Sequence, residues 1–155
     1  MSADGLPARA LLADAAATEA LGARLSSFLR PGDLVLLEGP LGAGKTTLVR
    51  GMVAALGGEA SEVCSPTFVL LESYAVEAGP LRRVHHADLY RLRGRRAAPL
   101  EEVGLGEALD DPGAVTAVEW PESWAWLGGL ASRVLRVRLA HEGDGRSASA
   151  EWLSA

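Results

Sequence analysis

The chain has 155 residues, the length of one globular domain, and we expect residues 1–155 to form a single domain. Its formal net charge of −5 disfavours binding of nucleic acid by the molecule as a whole, so an RNA contact would need a local basic patch or a partner protein. The single cysteine, Cys64, excludes an internal disulfide, and without a ~20-residue apolar run or the pattern of a signal peptide we expect a cytoplasmic protein with no membrane partner.

The N-terminal part of the chain predicts a strand, a helix and a second strand. Residues 8–13 are a short, mostly apolar stretch typical of a strand, and Asp14 is of the type that caps a helix. Leucines at helical spacing follow as far as Pro31-Gly32, where we expect the helix to end. Residues 34–37 form a continuous apolar run, which indicates a strand that is covered on both faces.

A glycine-rich segment follows this strand directly and leads into a second helix. Apolar residues lie on one stripe of that helix from Leu48 to Leu56, and Gly57-Gly58 indicates where it ends. A strand, a glycine loop and a helix in this order are what a phosphate-binding unit requires.

Further strands and one short helix are predicted in the rest of the chain. Extended runs lie at 67–76, 81–87, 114–119 and 135–139. A short acidic stretch at 100–109 reads as a helix, and Asp144-Gly145 indicates a turn into a last strand at 147–153. The predicted fold class is α/β: a single-domain P-loop NTPase with a mixed, mostly parallel sheet flanked by helices and with a C-terminal β-hairpin.

The glycine-rich segment at 39–46 matches G-x-x-x-x-G-K-[ST] at every fixed position. Its glycines allow positive φ, so that backbone N–H groups turn toward phosphate oxygens, and the helix that follows adds its positive end. Lys45 is the only lysine among fifteen basic residues, at the position from which an ammonium reaches the β- and γ-phosphates, and Thr46 offers a hydroxyl to Mg²⁺. The flanking strand and helix disfavour a chance glycine turn. The predicted nucleotide-binding residues here are Leu41, Gly42, Ala43, Gly44, Lys45 and Thr46.

A phosphate-binding loop of this kind needs an acidic partner on a neighbouring strand end, where it helps to hold Mg²⁺ and to orient water. Asp88 follows the extended run 81–87, and Glu119 ends the run 114–119. Both lie where a strand meets a loop, the edge at which ligands bind in parallel α/β sheets. Each could instead be a solvated strand end, and the pattern does not decide which of them would hold the metal.

Two other motifs carry a weaker functional signal. The run Ser65, Pro66, Thr67 follows the helix of the loop and suits a segment that senses the γ-phosphate, although the pattern alone favours a simple turn. His85 and His86 are adjacent on a predicted strand, so their side chains point to opposite faces. We therefore expect a structural or outward-facing role for them rather than shared ligation of a metal.

Four segments of the chain resemble the TsaE family in order and approximate spacing: 39–47 (GPLGAGKTT), 65–68 (SPTF), 86–92 (HADLYRL) and 119–121 (EWP). That family is the small ATPase component of the bacterial machinery that makes threonylcarbamoyladenosine at position 37 of tRNA. The resemblance extends from about Asp14 to Glu122. The combination of HxDxYR and EWP after a phosphate-binding loop is far more specific than the loop alone.

At the phosphate end, the resemblance implies that Lys45 and Thr46 serve the triphosphate of ATP and Mg²⁺, with assistance from Thr47. It implies that Glu119 is a second contributor to the metal site and that Asp88 is an acid needed for hydrolysis. Lys45, Asp88 and Glu119 are accordingly the candidate catalytic residues.

Around the rest of the nucleotide, the resemblance places Trp120 near ATP and loosely matches Thr18 with a position on the adenine side. It also makes Ser65, Pro66 and Thr67 a switch-like loop. Pro40 departs from the family, in which an aspartate is frequent at this position. Its side chain makes none of the motif's fixed contacts, so nucleotide binding should survive the change.

The resemblance implies protein partners, namely those of the tRNA threonylcarbamoyladenosine transferase complex. The stretch 91–96 (RLRGRR) is longer and more basic than is usual in the family. Its arginines could contact tRNA or a partner, and as a charge run they could equally form a solvated face. These arginines are Arg91, Arg93, Arg95 and Arg96.

Two other functions compete with that of an ATPase subunit. In a small-molecule or nucleotide kinase, residues 91–96 would form a lid over the phosphates, and the protein would phosphorylate an acceptor without partners. A GTP-driven switch usually recognises guanine through an Asn-Lys-x-Asp motif. A chain with no asparagine and a single lysine, Lys45, cannot supply that motif.

Overall fold

The computed structural model describes residues 5–64, 70–92 and 104–153, apart from the side chains of 123–125, and combines α-helices and β-strands. The elements are β1 (Ala10–Leu12), α1 (Ala15–Ser26), β2 (Leu34–Glu38), α2 (Lys45–Ala55), β3 (Leu71–Ala78), β4 (Leu81–Asp88), α3 (Leu105–Asp110), β5 (Ala114–Glu119), β6 (Val134–Glu142) and β7 (Gly145–Leu153). Short 3₁₀ segments lie at Ala60–Glu62, Tyr90–Leu92 and Glu122–Leu130. Within these ranges, no helix is long and apolar enough to cross a membrane.

The described strands form one sheet in the order β1-β7-β6-β2-β5-β4-β3. β2 pairs in parallel with both β5 and β6, and β4 pairs in parallel with β5. The pairs β1–β7, β6–β7 and β3–β4 are antiparallel. The predicted mixed α/β sheet is confirmed, with parallel pairing in its centre and antiparallel pairing toward both edges. β6 and β7 are the predicted C-terminal hairpin.

The first helix begins where its capping residue predicts. The Asp14 side chain accepts a hydrogen bond of 2.8 Å from the backbone N–H of Ala17, which satisfies a donor that the first helical turn leaves unpaired. Leu21 and Leu25 of α1 are buried against the sheet. The helix ends at Ser26, a few residues earlier than Pro31-Gly32, and a short turn covers the difference.

β2 is buried on both faces of the sheet, as its continuous apolar run predicted. Val35 and Leu37 lie in one cluster with residues of α1 and α2. Leu34 and Leu36 lie in a second cluster with Leu105 of α3. Burial of one leucine contributes about 1.5–3 kcal/mol, so packing on both faces fixes the end of β2, from which the glycine loop departs.

The two helices on one face of the sheet approach each other through glycines. A Cβ atom on Gly22 of α1 would lie 2.1 Å from the carbonyl oxygen of Leu48, and one on Gly51 of α2 would lie 2.0 Å from that of Glu19. Such distances leave no room for a side chain at either position. The backbones of α1 and α2 therefore touch, which brings the start of α1 next to the glycine loop.

Candidate nucleotide site

The glycine loop connects β2 to α2, and at Gly39 and Gly44 it takes a backbone path that favours glycine. Gly39 has φ of 153°, and a Cβ atom there would lie 2.5 Å from the carbonyl oxygen of Leu139. Gly44 has φ of 106° and is the N-cap of α2. The α2 N-terminus, with its unpaired N–H groups and partial positive charge, therefore opens directly onto the loop.

The β6–β7 hairpin holds the loop from the side. His141 Nε2 donates a hydrogen bond of 3.1 Å to the carbonyl of Leu41, and Arg146 Nε donates one of 3.0 Å to the carbonyl of Gly42. Because a carbonyl and the N–H of the same planar peptide point in opposite directions, the N–H of Gly42 is directed away from the hairpin. Neither His141 nor Arg146 was predicted, since no local pattern links them to a loop that lies about a hundred positions earlier.

Lys45 is buried at the bottom of the loop. Its ammonium group donates to the carbonyl of Gly39 and lies 3.5 Å from the ring centroid of Trp120. Burial lowers the pKa of Lys45, while the negative charges of Glu119, Glu122 and Asp88 oppose that shift. The cation is thus held among carboxylates and an aromatic face, where a phosphate would be an additional counter-ion.

Asp88 and Glu119 lie side by side at the ends of neighbouring strands. They are register partners in the parallel β4–β5 pair, and their residues are 7% and 3% exposed. Thr46 Oγ1 donates a hydrogen bond of 2.8 Å to Glu119 Oε2, and Asp88 Oδ1 accepts one of 2.9 Å from the N–H of Tyr90. The structure therefore brings together both acids and the threonine of the loop.

His86 also contacts Glu119, and it was not among the predicted site residues. It is fully buried, and its Nε2 atom lies 2.5 Å from Glu119 Oε2. A signal for this position existed in the sequence, because residues two apart on a strand share a face and His86 stands two places before Asp88. His85 points to the other face, where it contacts Ser73 and Asp111, as expected for adjacent residues on a strand.

Trp120 adopts an unusual backbone conformation beside the acids. Its φ of 61° is rare for a bulky residue, and its N–H donates to the carbonyl of Leu37 at the end of β2. The indole meets the ring of Tyr90 edge-on, with 5.0 Å between centroids, and covers Lys45. The strained backbone thus turns an aromatic face toward the loop.

Two clefts adjoin the loop and share some of its residues. One, of about 400 Å³, is lined by residues 41–47 together with Asp88, Tyr90, Glu119 and Trp120. The other, of about 240 Å³, contains Thr18 and Thr47 among its lining residues. A Cβ atom on Gly44 would lie 3.3 Å from Thr18 Cγ2, so α1 touches the loop at this point.

Part of the predicted site falls outside the described residues. Ser65, Pro66 and Thr67, the predicted switch-like loop, belong to that part, as do Arg93, Arg95 and Arg96. Of the predicted basic patch, Arg91 is described, and it is exposed in the 3₁₀ segment Tyr90–Leu92.

The donor set in the larger cleft fits a hard divalent cation. A hydroxyl that gives its hydrogen to a carboxylate keeps its oxygen lone pairs, so Thr46 can donate to Glu119 and still ligate a metal. No group of three or more His, Cys, Asp or Glu in the described parts of the chain is placed to hold a metal ion. Mg²⁺ suits such a site, because it takes oxygen ligands and completes its shell with phosphate oxygens and water.

Comparison with protein families gives a match over most of the chain. The family model described as "Threonylcarbamoyl adenosine biosynthesis protein TsaE" matches residues 12–148. Three similar proteins each bear the name tRNA threonylcarbamoyladenosine biosynthesis protein TsaE. The protein from Mycobacterium bovis is 38% identical over 87% of this chain and 80% of its own. The protein from Synechocystis is 41% identical over 72% and 68%, and that from Streptomyces coelicolor is 46% identical over 66% and 66%.

A solved structure shares the fold. The crystal structure of YdiB from Bacillus subtilus superposes with a TM-score of 0.66 at 25% sequence identity. The match covers 95% of this chain and 85% of that one. The overall fold of the chain is therefore shared with a protein of known structure.

Proposed function

Because the chain belongs to the TsaE family, which is involved in the biosynthesis of threonylcarbamoyladenosine in tRNA, we propose that it is a Mg²⁺-dependent subunit that binds and hydrolyses ATP. ATP hydrolysis would drive a conformational cycle in a partner transferase complex. One observation carries the proposal: Lys45, the Thr46–Glu119 pair and Asp88 converge on the cleft beside the glycine loop.

Binding of the triphosphate would use backbone groups and one cation. The N–H groups of the loop and of the first turn of α2 supply donors, and Lys45 supplies a positive charge next to them. Mg²⁺, when bound, would neutralise charge on the β- and γ-phosphate oxygens. Thr46 and Glu119 are the residues that would hold it, since their contact joins the loop to β5. Thr47, which lines both clefts, would assist at the phosphates, and Thr18, in the adjoining cleft, would face the adenine side.

Hydrolysis requires a water that attacks the γ-phosphorus while the bond to the β–γ bridging oxygen breaks, which yields ADP and phosphate. Glu119 is already fixed in position by its contacts with Thr46 and His86, so we assign it to the binding of Mg²⁺. Asp88, its neighbour in register, is then the carboxylate that orients the water and can accept its proton. Trp120 covers Lys45 and would shield this part of the cleft from solvent.

The test of nucleotide binding is Lys45→Ala. Loss of the ammonium should abolish tight binding of ATP with Mg²⁺ in titration calorimetry. Arg24→Ala, which removes one positive charge from the exposed side of α1, is the control and should bind as the wild type does. Unchanged affinity in Lys45→Ala would remove the assignment of the cleft.

The role in a complex is tested by turnover with and without partners. Steady-state ATP hydrolysis should be slow for the protein alone and rise when the transferase subunits of the same organism are added. A phosphorylated small-molecule acceptor, formed by the protein alone, would instead identify a kinase. Substitution of the exposed Arg91 in the same assay, with and without tRNA, tests whether the basic stretch contributes to the complex.

A further inference from the structure

We propose that His86 is a positioning residue, which holds the Glu119 carboxylate against Thr46, and that Tyr74 fixes the His86 ring and joins it to the backbone at Cys64. We call the side chains of His86 and Tyr74, together with the carbonyl of Cys64, the His86 relay. The effect of the relay on Mg²⁺ binding by Thr46 and Glu119 rests on the proposed function of the cleft. Its hydrogen bonds are a separate claim, which can be tested without nucleotide.

The first link of the relay fixes one oxygen of Glu119. His86 Nε2 lies 2.5 Å from Oε2, and Thr46 Oγ1 lies 2.8 Å from the same atom. An ionised carboxylate can only accept hydrogen bonds, so the hydrogen of this contact resides on His86 Nε2. Two donors that converge on one oxygen from different elements, β4 and α2, set both the position and the rotation of the carboxylate.

The second link determines which nitrogen of the ring carries the hydrogen. An imidazole whose single hydrogen lies on Nε2 has Nδ1 as an acceptor. The Tyr74 hydroxyl lies 3.3 Å from that atom, and the two ring centroids are 6.0 Å apart. Burial raises the pKa of Tyr74 to about 12, so at neutral pH the side chain is a phenol with a hydrogen to donate.

The third link reaches the backbone that precedes the predicted switch-like segment. The Tyr74 hydroxyl also lies 3.3 Å from the carbonyl oxygen of Cys64. One hydroxyl hydrogen serves one acceptor at a time, so the Cys64 carbonyl and His86 Nδ1 compete for it. A shift of the backbone at Cys64 would therefore change how firmly the His86 ring is held, and with it Glu119.

The neighbouring histidine provides a matched control. His85 is on the same strand and is also largely buried, with Nδ1 2.7 Å from Ser73 Oγ and Nε2 2.8 Å from Asp111 Oδ2. It thus has the same types of contact, a hydroxyl and a carboxylate, on the face away from Glu119. If substitution of His86 weakened Mg²⁺ binding only by destabilising the fold, substitution of His85 should weaken it to a similar extent.

The experiment compares His86→Leu, His86→Gln and His85→Leu by titration of Mg²⁺ at fixed ATP, with nucleotide affinity also measured in excess chelator. Removal of a group that orients a metal ligand typically costs about tenfold or more in metal affinity. We expect His86→Leu to raise the half-saturating Mg²⁺ concentration by that factor and to leave the metal-free affinity unchanged. His86→Gln, whose amide nitrogen can replace Nε2, should recover most of the loss, and His85→Leu should match the wild type.

Two outcomes of this titration would overturn the relay. One is an equal shift in His86→Leu and His85→Leu, which would indicate general destabilisation. The other is a glutamine variant no better than the leucine variant, which would show that the donor at Nε2 is irrelevant.

Long-range ¹H–¹⁵N correlation spectra of the wild type without nucleotide or metal test the hydrogen bonds themselves. We expect His86 to carry its hydrogen on Nε2 and to show a changed Nδ1 resonance in Tyr74→Phe. A hydrogen on Nδ1 alone would contradict the relay, whatever the protein binds. A wild type that binds no nucleotide, but shows the expected His86 tautomer, would contradict the proposed function instead.

Discussion

Asp88 and Glu119 are equivalent in type, in strand position and in depth, yet their surroundings differ. Glu119 accepts hydrogen bonds from Thr46 and His86, whereas Asp88 accepts from the backbone N–H of Tyr90. A carboxylate fixed by two side chains is suited to a metal, which needs a constant ligand position. A carboxylate anchored on its own loop is suited to a water that must be bound and replaced in each cycle.

Substitution of either acid should separate binding from hydrolysis. In Asp88→Asn and Glu119→Gln the loop amides and Lys45 remain, so we expect most of the nucleotide affinity to survive. Turnover should fall by at least about tenfold, which corresponds to about 1.4 kcal/mol in the barrier. Steady-state hydrolysis in the presence of partners and calorimetry with ATP measure the two effects. Glu107→Gln, an exposed acid on α3, is the isosteric control, and wild-type turnover in either site variant would mean that the wrong acid was chosen.

At the residue scale, a contiguous motif in the sequence is enough to identify candidate side chains. Lys45 and Thr46 follow from the loop pattern, and Asp88 and Glu119 follow from their places at strand ends. His86 was set aside because adjacent histidines diverge, although that same alternation places it on the face of Asp88. What the sequence lacked was the pairing of β4 with β5, and only this pairing brings His86 to Glu119.

At the scale of helices and strands, the close crossing of α1 and α2 places a residue of α1 against the glycine loop. Gly22 and Gly51 let the two backbones touch, and the same crossing sets Thr18 against Gly44. A wider separation would move Thr18 away from the loop and open the smaller cleft. The glycines in these helices are therefore explained by contact, even though glycine is a poor helix former.

Gly51→Ala tests this contact. Helix propensity alone would favour alanine by about 1 kcal/mol, but the new Cβ atom would meet the Glu19 carbonyl oxygen at 2.0 Å. We expect the steric term to dominate, with a net loss of about 1–3 kcal/mol in the free energy of unfolding. Urea denaturation measures it. At Gly129 a Cβ atom meets nothing within 4 Å, so Gly129→Ala is the control; a stabilised Gly51→Ala would refute the close crossing.

Most elements were predictable because their periodicity is local. The alternation at 135–139 and the continuous run at 34–37 correspond to β6 and β2, and Asp14 marks the start of α1. The contact between helices was not predictable in the same way. A glycine within an amphipathic helix reads as a weak point of that helix, and its function becomes visible only when the second helix is in place.

For the whole molecule, an acidic pH should weaken the link between β4 and the turn before β5. Arg83 forms two hydrogen bonds with Asp111, of 2.6 and 2.8 Å, and these hold the pKa of Asp111 well below its usual range. A depressed carboxyl pKa adds stability above the unfolded-state value of 3.8, and that stability is lost as the pH falls below it.

Asp111→Asn should therefore lower the thermal midpoint at neutral pH and flatten its decline at acidic pH. The amide cannot ionise, so this variant loses the contribution that the wild type loses only on acidification. Thermal unfolding between neutral pH and about pH 3 measures the effect. Asp110→Asn, at the exposed neighbouring position, is the control. If the thermal midpoint of Asp111→Asn declined at acidic pH as steeply as that of the wild type, the acid sensitivity would belong to other carboxylates.

The order of the strands was the least predictable property of the whole molecule. Nothing in the local pattern of β6 and β7 shows that the hairpin lies against β2 and beside the glycine loop. As a result, the contacts of His141 and Arg146 with the loop carbonyls emerged only from the assembled sheet. Local chemistry determined which residues could bind a phosphate, and topology determined which others surround it.

Cys64 has a practical consequence for studies in solution. It is the only cysteine of the chain, and it is exposed, so a thiol-reactive fluorophore can be attached at one known place without any prior substitution. The backbone carbonyl of the same residue is one of the two acceptors near the Tyr74 hydroxyl. Emission from such a dye would follow, in real time and in the native sequence, whether this corner of the molecule rearranges when ATP arrives.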